Sequence, residues 1–268
     1  MKKLKSLLLA TVFSFALTPF AMAERSIRIW GQAEDAYRQG NFSLAAKLYE
    51  QSCNDENNSL SCERLARMYF SGEGVQENNT KSIKFLEKSC NLQLQENADR
   101  KLGDIGSTCT KVARRYYYHH HDIPAAIRIL NKACNANHRD GHECVWFNIK
   151  ASNLYARGNY TDAAKFYEAG CNIGYKKNSH EATNCFNLGL LYRKGQGVKQ
   201  NDAQAAKFFE QACNGGVADG CYNLGASYYN GQGKRQNFST AKEYYGKACD
   251  LGDQGGCDEY KKLNIQGY

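Results

Sequence analysis

The chain has 268 residues, 42% of them hydrophobic, and only two prolines, a composition that excludes a disordered or low-complexity protein. Its formal charge is +8, but basic and acidic residues are interspersed, so no basic stripe or tail marks a nucleic-acid-binding protein. Beyond residue 23 no apolar run is long enough to span a bilayer.

The chain opens MKKLKSLLLATVFSFALTPFAMA, in which Lys2, Lys3 and Lys5 precede a short apolar run, broken by Pro19, that ends in Ala21-Met22-Ala23. This pattern predicts a secretory signal peptide over residues 1–23, cut after Ala23, with residues 24–268 as one mature domain of charge +5. A periplasmic or secreted location is expected, without membrane attachment after cleavage. All twelve cysteines follow the cut, and an even count in an oxidising compartment makes disulfides the expectation.

The cysteines also mark a repeat. Cys53, Cys90, Cys134, Cys171, Cys213 and Cys249 each follow a small residue eight positions earlier: Ala45, Ser82, Ala126, Ala163, Ala205 and Ala241. The positions five and four before each cysteine are apolar, as in Phe208 and Phe209 before Cys213, which makes one stripe of an α-helix that the cysteine ends. A second helix follows Cys62, Cys109, Cys185 and Cys221, with Leu65, Val112, Leu188 and Leu224 three residues on and Tyr69, Tyr116, Tyr192 and Tyr228 seven on. After Cys144 the matching Tyr155 comes four residues late, which predicts a helix lengthened by about one turn. Six helical hairpins and a capping helix from about residue 257 give an all-α fold, a right-handed α-solenoid of helix-turn-helix repeats.

Each pair of cysteines spans a helix junction. In continuous helix the Cα atoms of Cys213 and Cys221 would stand about 12 Å apart, beyond the roughly 7 Å that a disulfide bridges. Gly215, Gly216 and Gly220 in CNGGVADGC are therefore expected to turn the chain through positive φ. Bonding in chain order gives Cys53–Cys62, Cys90–Cys109, Cys134–Cys144, Cys171–Cys185, Cys213–Cys221 and Cys249–Cys257, each a staple between adjacent repeats. The rival readings fit less well. A redox motif needs Cys-x-x-Cys beside a βαβ unit, and structural zinc usually has two to four residues within a pair, where these pairs enclose seven to eighteen. The widest spacing is NLQLQENADRKLGDIGST, between Cys90 and Cys109. No metal and no cofactor is expected.

CYNLGASYYNGQG (221–233), CFNLGLLYRKGQGV (185–198) and CERLARMYFSGEGV (62–75) resemble the SEL-like repeat, a cousin of the tetratricopeptide repeat. With cysteine pairs at helix junctions, the chain is most similar to the Helicobacter cysteine-rich protein family. YRQGNFSLAAKLYE, YYYHHHDIPAAIRIL and YARGNYTDAAKFYE lack the Gly-x-Gly turn and look more like plain tetratricopeptide hairpins. The resemblance implies a scaffold holding a protein or peptide in its groove. It also implies an alternative, since members of the cysteine-rich family are commonly described as penicillin-binding proteins or β-lactamases. STAK offers Ser239 and Lys242 as weak catalytic candidates, but Ser239 falls where a helix N-cap is expected, and neither Lys-Thr-Gly nor Ser-Asp-Asn occurs. A non-catalytic protein is the expectation.

GQGV (195–198) and GEGV (72–75) follow helices and lack a third glycine, so they read as hairpin turns rather than nucleotide loops. In HHHD (119–122) adjacent histidines in a turn point in different directions ahead of the cap Asp122 and Pro124, which reads as a solvated loop. The 18 tyrosines fall mostly on the stripe positions and read as packing between helices. In solenoids of this kind the first helix of each hairpin lines the concave groove, and the residue two after the second cysteine points there. Those residues are Arg64, Lys111, Asn187 and Asn223, helped one turn on by Arg67 and Arg114. Asparagine pairs with extended backbone, and the basic groups suit an acidic segment or a C-terminal carboxylate. The expected partner is a protein or peptide, not nucleic acid.

Overall fold

The computed structural model describes residues 19–100, 106–136, 142–173 and 180–268, which form thirteen α-helices and no strand. None of these helices is long and apolar enough to cross a membrane. Most of the expected signal peptide, residues 1–18, lies outside the described residues. The helices pair as antiparallel hairpins joined by short turns, and the fold class is the expected all-α repeat solenoid with disulfides between adjacent repeats. The chain divides into two compact units, one ending at Leu92 and one beginning at Gln93.

The first unit holds α1 (Pro19–Arg38), α2 (Phe42–Asp55), α3 (Ser59–Ser71) and the first part of α4 (Asn79–Arg100). Asparagines start its later helices by accepting the orphan N–H groups of the first turn: Asn41 from Leu44 at 3.3 Å, Asn58 from Ser61 at 2.9 Å and Asn78 from Lys81 at 2.8 Å. Cys53, at the end of α2, bonds Cys62, in the first turn of α3.

The second unit holds α5 (Gly106–His120), α6 (Ile123–Ala136), α7 (His142–Ala156), α8 (Tyr160–Asn172), α9 (His180–Lys194), α10 (Asp202–Asn214), α11 (Ala218–Asn230), α12 (Phe238–Asp250) and α13 (Gln254–Ile265). Among its first helices, α7 packs against both α5 and α9. The lengthening expected after Cys144 is present: α7 runs twelve residues beyond that cysteine, where α9 and α11 run nine beyond Cys185 and Cys221. Disulfides join α6 to α7, α8 to α9, α10 to α11 and α12 to α13, with Cα separations of 5.3, 4.8, 4.5 and 4.5 Å. Cys90 and Cys109 are likewise oxidised, and no described cysteine is free.

The glycines of CNGGVADGC divide their work differently from the expectation. Only Gly216 has positive φ, at 85°, while Gly215 caps α10 at φ −80° and Gly220 lies inside α11. Gly220 is there for space, since a Cβ would stand 2.7 Å from the Cβ of Ala212 and 2.9 Å from the backbone nitrogen of Cys213. The residues preceding the two cysteines of a pair meet at this crossing and share its volume: Ser52 with Ser61, Gly170 with Asn184, Ala212 with Gly220, Ala248 with Gly256.

The Gly-x-Gly turns also have a packing cause. The second glycine of each has positive φ, and its Cβ position falls on the start of an earlier hairpin's second helix. The distances are 2.3 Å from the Phe42 carbonyl carbon for Gly74, 2.2 Å from that of Tyr160 for Gly197 and 2.1 Å from the Asp202 carbonyl oxygen for Gly233. The stripe tyrosines pack between helices as expected: in three hairpins they stack, Tyr69 on Phe85, Tyr192 on Phe208 and Tyr228 on Tyr244, with interplanar angles of 7°, 19° and 4°, while Tyr155 meets Tyr160 edge-on at 66°. The histidine run is not one turn. His119 and His120 finish α5, His121 takes φ 52°, and Asp122 caps α6 by accepting the Ala125 N–H at 2.9 Å.

Candidate functional site

In the first unit, α3 carries Arg64 and Arg67. The Arg64 Nε stands 3.0 Å from Oε1 of Glu34, and the same oxygen accepts the Tyr49 hydroxyl at 2.8 Å. Glu34 is 8% exposed, so the buried carboxylate fixes one edge of Arg64 and leaves the rest of its guanidinium on the surface. Arg67 is exposed and has no carboxylate partner among the described residues. Beside them the Tyr37 hydroxyl donates to Glu73 at 2.9 Å, and that bond is the main cause pushing the phenol pKa up.

In the second unit, Lys111 and Arg114 are exposed on α5, while Asn187 on α9 and Asn223 on α11 are half-buried. Asn223 is not an open carboxamide. Its Oδ1 accepts from a terminal nitrogen of Arg193 at 2.6 Å, its backbone carbonyl accepts from the other at 3.3 Å, and its Nδ2 donates to the Asp219 carbonyl at 2.7 Å. The Arg193 guanidinium lies 4.4 Å above the Phe209 ring, and burial pushes its pKa down. No carboxylate forms an ion pair with it among the described residues. The functional group presented here is therefore Arg193, with Asn223 as its holder. The sequence carried one signal for it. Eight residues after the second cysteine stand Phe70, Tyr117 and Tyr229 in three hairpins and the charged Arg193 in this one.

A second enclosed cation stands one hairpin earlier. Lys150 on α7 is 7% exposed, with its ammonium 3.6 Å from the ring centroid of Tyr117 and 4.5 Å from that of Tyr118, and it donates to the Tyr118 hydroxyl at 3.2 Å. Burial also pushes the pKa of Arg115 on α5 down. Arg193 and Lys150 are thus held on rings, an amide and a hydroxyl, and neither forms an ion pair with a described carboxylate, Asp202 acting on Arg193 from farther off.

An open cleft of about 650 Å³ lies between α8 and α10, lined by Glu168, Asn172, Tyr192, Lys199, Lys207 and Gln211. None of the expected site residues borders it. The catalytic candidates are not arranged as a nucleophile and base. The cap of α12 is Asn237, which accepts the Thr240 N–H at 3.0 Å, so Ser239 is the second residue of the helix and not its cap. Ser239 is exposed, and Lys242 is occupied by the Tyr268 carbonyl and by Asn264. Among the described residues one group of metal-ligating type occurs, Cys134, Cys144 and Glu181, whose donor atoms lie within 4.8 Å of one another.

A model of the Sel1 repeat matches residues 31–57, 59–94, 117–138, 185–217 and 218–253. Cytochrome c oxidase assembly factor 7 of Xenopus tropicalis is 28% identical over 185 residues, 64% of this chain and 71% of that protein. Cytochrome c oxidase assembly factor 7A of Xenopus laevis is 28% identical over 183 residues, with the same shares. Among solved structures, a protective antigen of uropathogenic Escherichia coli with an SLR fold is 19% identical, covers 91% of this chain and 58% of its own, and has a TM-score of 0.42. Helicobacter pylori cysteine rich protein B is 25% identical, covers 53% of this chain and 98% of its own, and has a TM-score of 0.36.

Proposed function

This chain belongs to the Sel1 repeat family, and on that premise we propose that it is an exported, non-catalytic scaffold that holds a carboxylate-bearing segment of another protein against its first helices. The observation that carries the reading is Arg193: a partly desolvated guanidinium over the Phe209 ring, gripped by Asn223 and in no ion pair, with Asp202 acting on it only from beyond ion-pair distance. A charge taken from water and left unneutralised costs folding free energy, and an anionic ligand offsets that cost when it binds. Lys150 on α7 adds a second enclosed cation, and the first helices of this unit also carry Lys111 and Arg114 on α5 and Asn187 on α9. In the first unit Arg64, oriented by Glu34, and Arg67 offer the same chemistry. Oxidised cysteines and the N-terminal sequence pattern support export. The frog relatives are named assembly factors, which agrees with a protein that works by holding another.

The test is fluorescence anisotropy with short labelled peptides, acidic or neutral in sequence and with free or amidated C-termini. Acidic peptides should bind more tightly than neutral ones, and Arg193→Ala should weaken them by about ten- to a hundredfold. Equal binding of all peptides, or an Arg193→Ala protein that binds as well as the parent, would remove the reading.

A further inference from the structure

We propose that Cys134, Cys144 and Glu181 become a metal site when their disulfide is reduced, and that the site takes a borderline-soft divalent cation of the zinc type. The three residues come from three helices. Cys134 is near the end of α6, Cys144 is in the first turn of α7, and Glu181 is in the first turn of α9. Their sulfur and carboxylate donors lie within 4.8 Å of one another. Zinc bonds of about 2.3 Å to sulfur and about 2.1 Å to oxygen, at tetrahedral angles, set donors roughly 3.6–3.8 Å apart, so after reduction the two sulfurs move apart and the carboxylate closes in by about 1 Å.

Two further observations separate this pair from the other disulfides. Among the described residues it is the only cysteine pair with a third histidine, aspartate or glutamate donor at such a distance. Glu181 also forms no ion pair with any described lysine or arginine, so among the described residues its carboxylate is open to a cation. Cys134 and Cys144 are 2% and 5% exposed, and a cation held there would be shielded from competing water on the sulfur side. Two thiolates and one carboxylate suit zinc better than magnesium or calcium, which prefer all-oxygen sets, and they leave a fourth position for water.

The chemistry balances with a dithiol as reductant. Two electrons and two protons pass to the Cys134–Cys144 bond, which breaks, and the dithiol leaves as its own disulfide. The cation then displaces both thiol protons to solvent and binds two thiolates and the Glu181 carboxylate. A covalent staple between α6 and α7 is exchanged for a coordinate one that also takes in α9.

The test uses the full chain, reduced without oxygen by a phosphine, which competes for the metal far less than a chelating dithiol does and is removed before the titration, and titrated with cobalt(II) alone. One equivalent should give thiolate-to-cobalt charge-transfer absorption, and zinc should bleach it by displacement. Glu181→Gln should weaken this site at least about tenfold, since losing a direct ligand costs no less than losing a supporting contact. Circular dichroism in parallel should show helix content rising, or holding to a higher temperature, when zinc is added to the reduced chain. Cobalt absorption identical in parent and Glu181→Gln, or none at stoichiometric metal, overturns the proposal whether or not the reduced chain stays helical.

Discussion

Asn223 gives both of its carbonyl oxygens to Arg193, from thirty residues away, at 2.6 and 3.3 Å. These are neutral acceptors, so the cation is positioned without being cancelled. Asn223→Asp adds the missing charge but gives up the bond that Nδ2 makes to the Asp219 carbonyl. The new ion pair offsets that lost bond, so the melting temperature should change little, while acidic-peptide binding weakens at least about tenfold because the ligand then competes with a built-in carboxylate. A variant that keeps full affinity would show that Arg193 does not meet the ligand.

The second glycines of the Gly-x-Gly turns give a sharper stability test than their sequence suggests. Gly197 and Gly158 both have positive φ, at 71° and 78°, so alanine at either is strained by about 1 kcal/mol. A Cβ on Gly158 would meet nothing within 4 Å, whereas one on Gly197 would lie 2.2 Å from the Tyr160 carbonyl carbon, which is backbone and cannot rotate away. Urea unfolding should therefore place Gly197→Ala at least about 2 kcal/mol below Gly158→Ala. Equal costs would mean that the turn is set by φ alone.

The helices and the staples were legible because each is written in local spacing. The apolar stripe ending at Cys213 and restarting at Cys221 marks two helix ends, and the lateness of Tyr155 was enough to predict a longer α7. The roles of single residues were less legible, because they depend on what lies across an interface. Gly220 looks like a turn residue in sequence, and only its contact with Ala212 shows a packing role. Asn237, two residues before Ser239, takes the cap because an Asx side chain there reaches the Thr240 N–H. Asn223 carried the expected spacing, yet its partner thirty residues away in sequence turns it from a receptor into a holder.

The buried phenols predict loss of stability in alkali. Burial first, then the bond to Glu34, pushes Tyr49 far above the ordinary phenol range, and burial does the same to Tyr245. Tyr37, Tyr167 and Tyr244 are raised in the same direction. A group raised on folding contributes fully below its unfolded pKa, about 10 for tyrosine. Above that the unfolded chain releases protons that the folded chain keeps, so stability falls as pH rises towards the folded-state values. Urea midpoints should hold to about pH 9.5 and fall beyond it, more shallowly in Tyr245→Phe than in the parent. Tyr49→Phe should in addition lose about 0.5–1.5 kcal/mol at neutral pH, since it leaves Glu34 without that donor. A flat profile through about pH 11 would show that these phenols are not held protonated by the fold.

Gly170 and Asn184 test whether the crossings beside the disulfides are set by shared volume. An ideal Cβ on Gly170 falls 2.3 Å from Nδ2 and 2.9 Å from Cγ of Asn184, so Gly170→Ala has to displace a fully buried carboxamide. The expected cost is about 1–3 kcal/mol. Asn184→Gly leaves a void and strips Asn148 of the acceptor it holds at 3.1 Å, though Nδ2 of Asn184 is itself buried without a partner, so losing that atom costs little. The double variant places alanine before the first cysteine and glycine before the second, the arrangement that Ala212 and Gly220 already use between α10 and α11. If volume is what the pair shares, the alanine fills the space the carboxamide left, and the double variant should be more stable than the sum of the single losses by at least about 1 kcal/mol. The remaining cost should trace to the Cβ of Phe147, which would stand 3.0 Å from the new methyl and has to give by a few tenths of an ångström. Strict additivity in urea unfolding would show instead that each crossing is fixed by its disulfide and that these residues only fill the space it leaves.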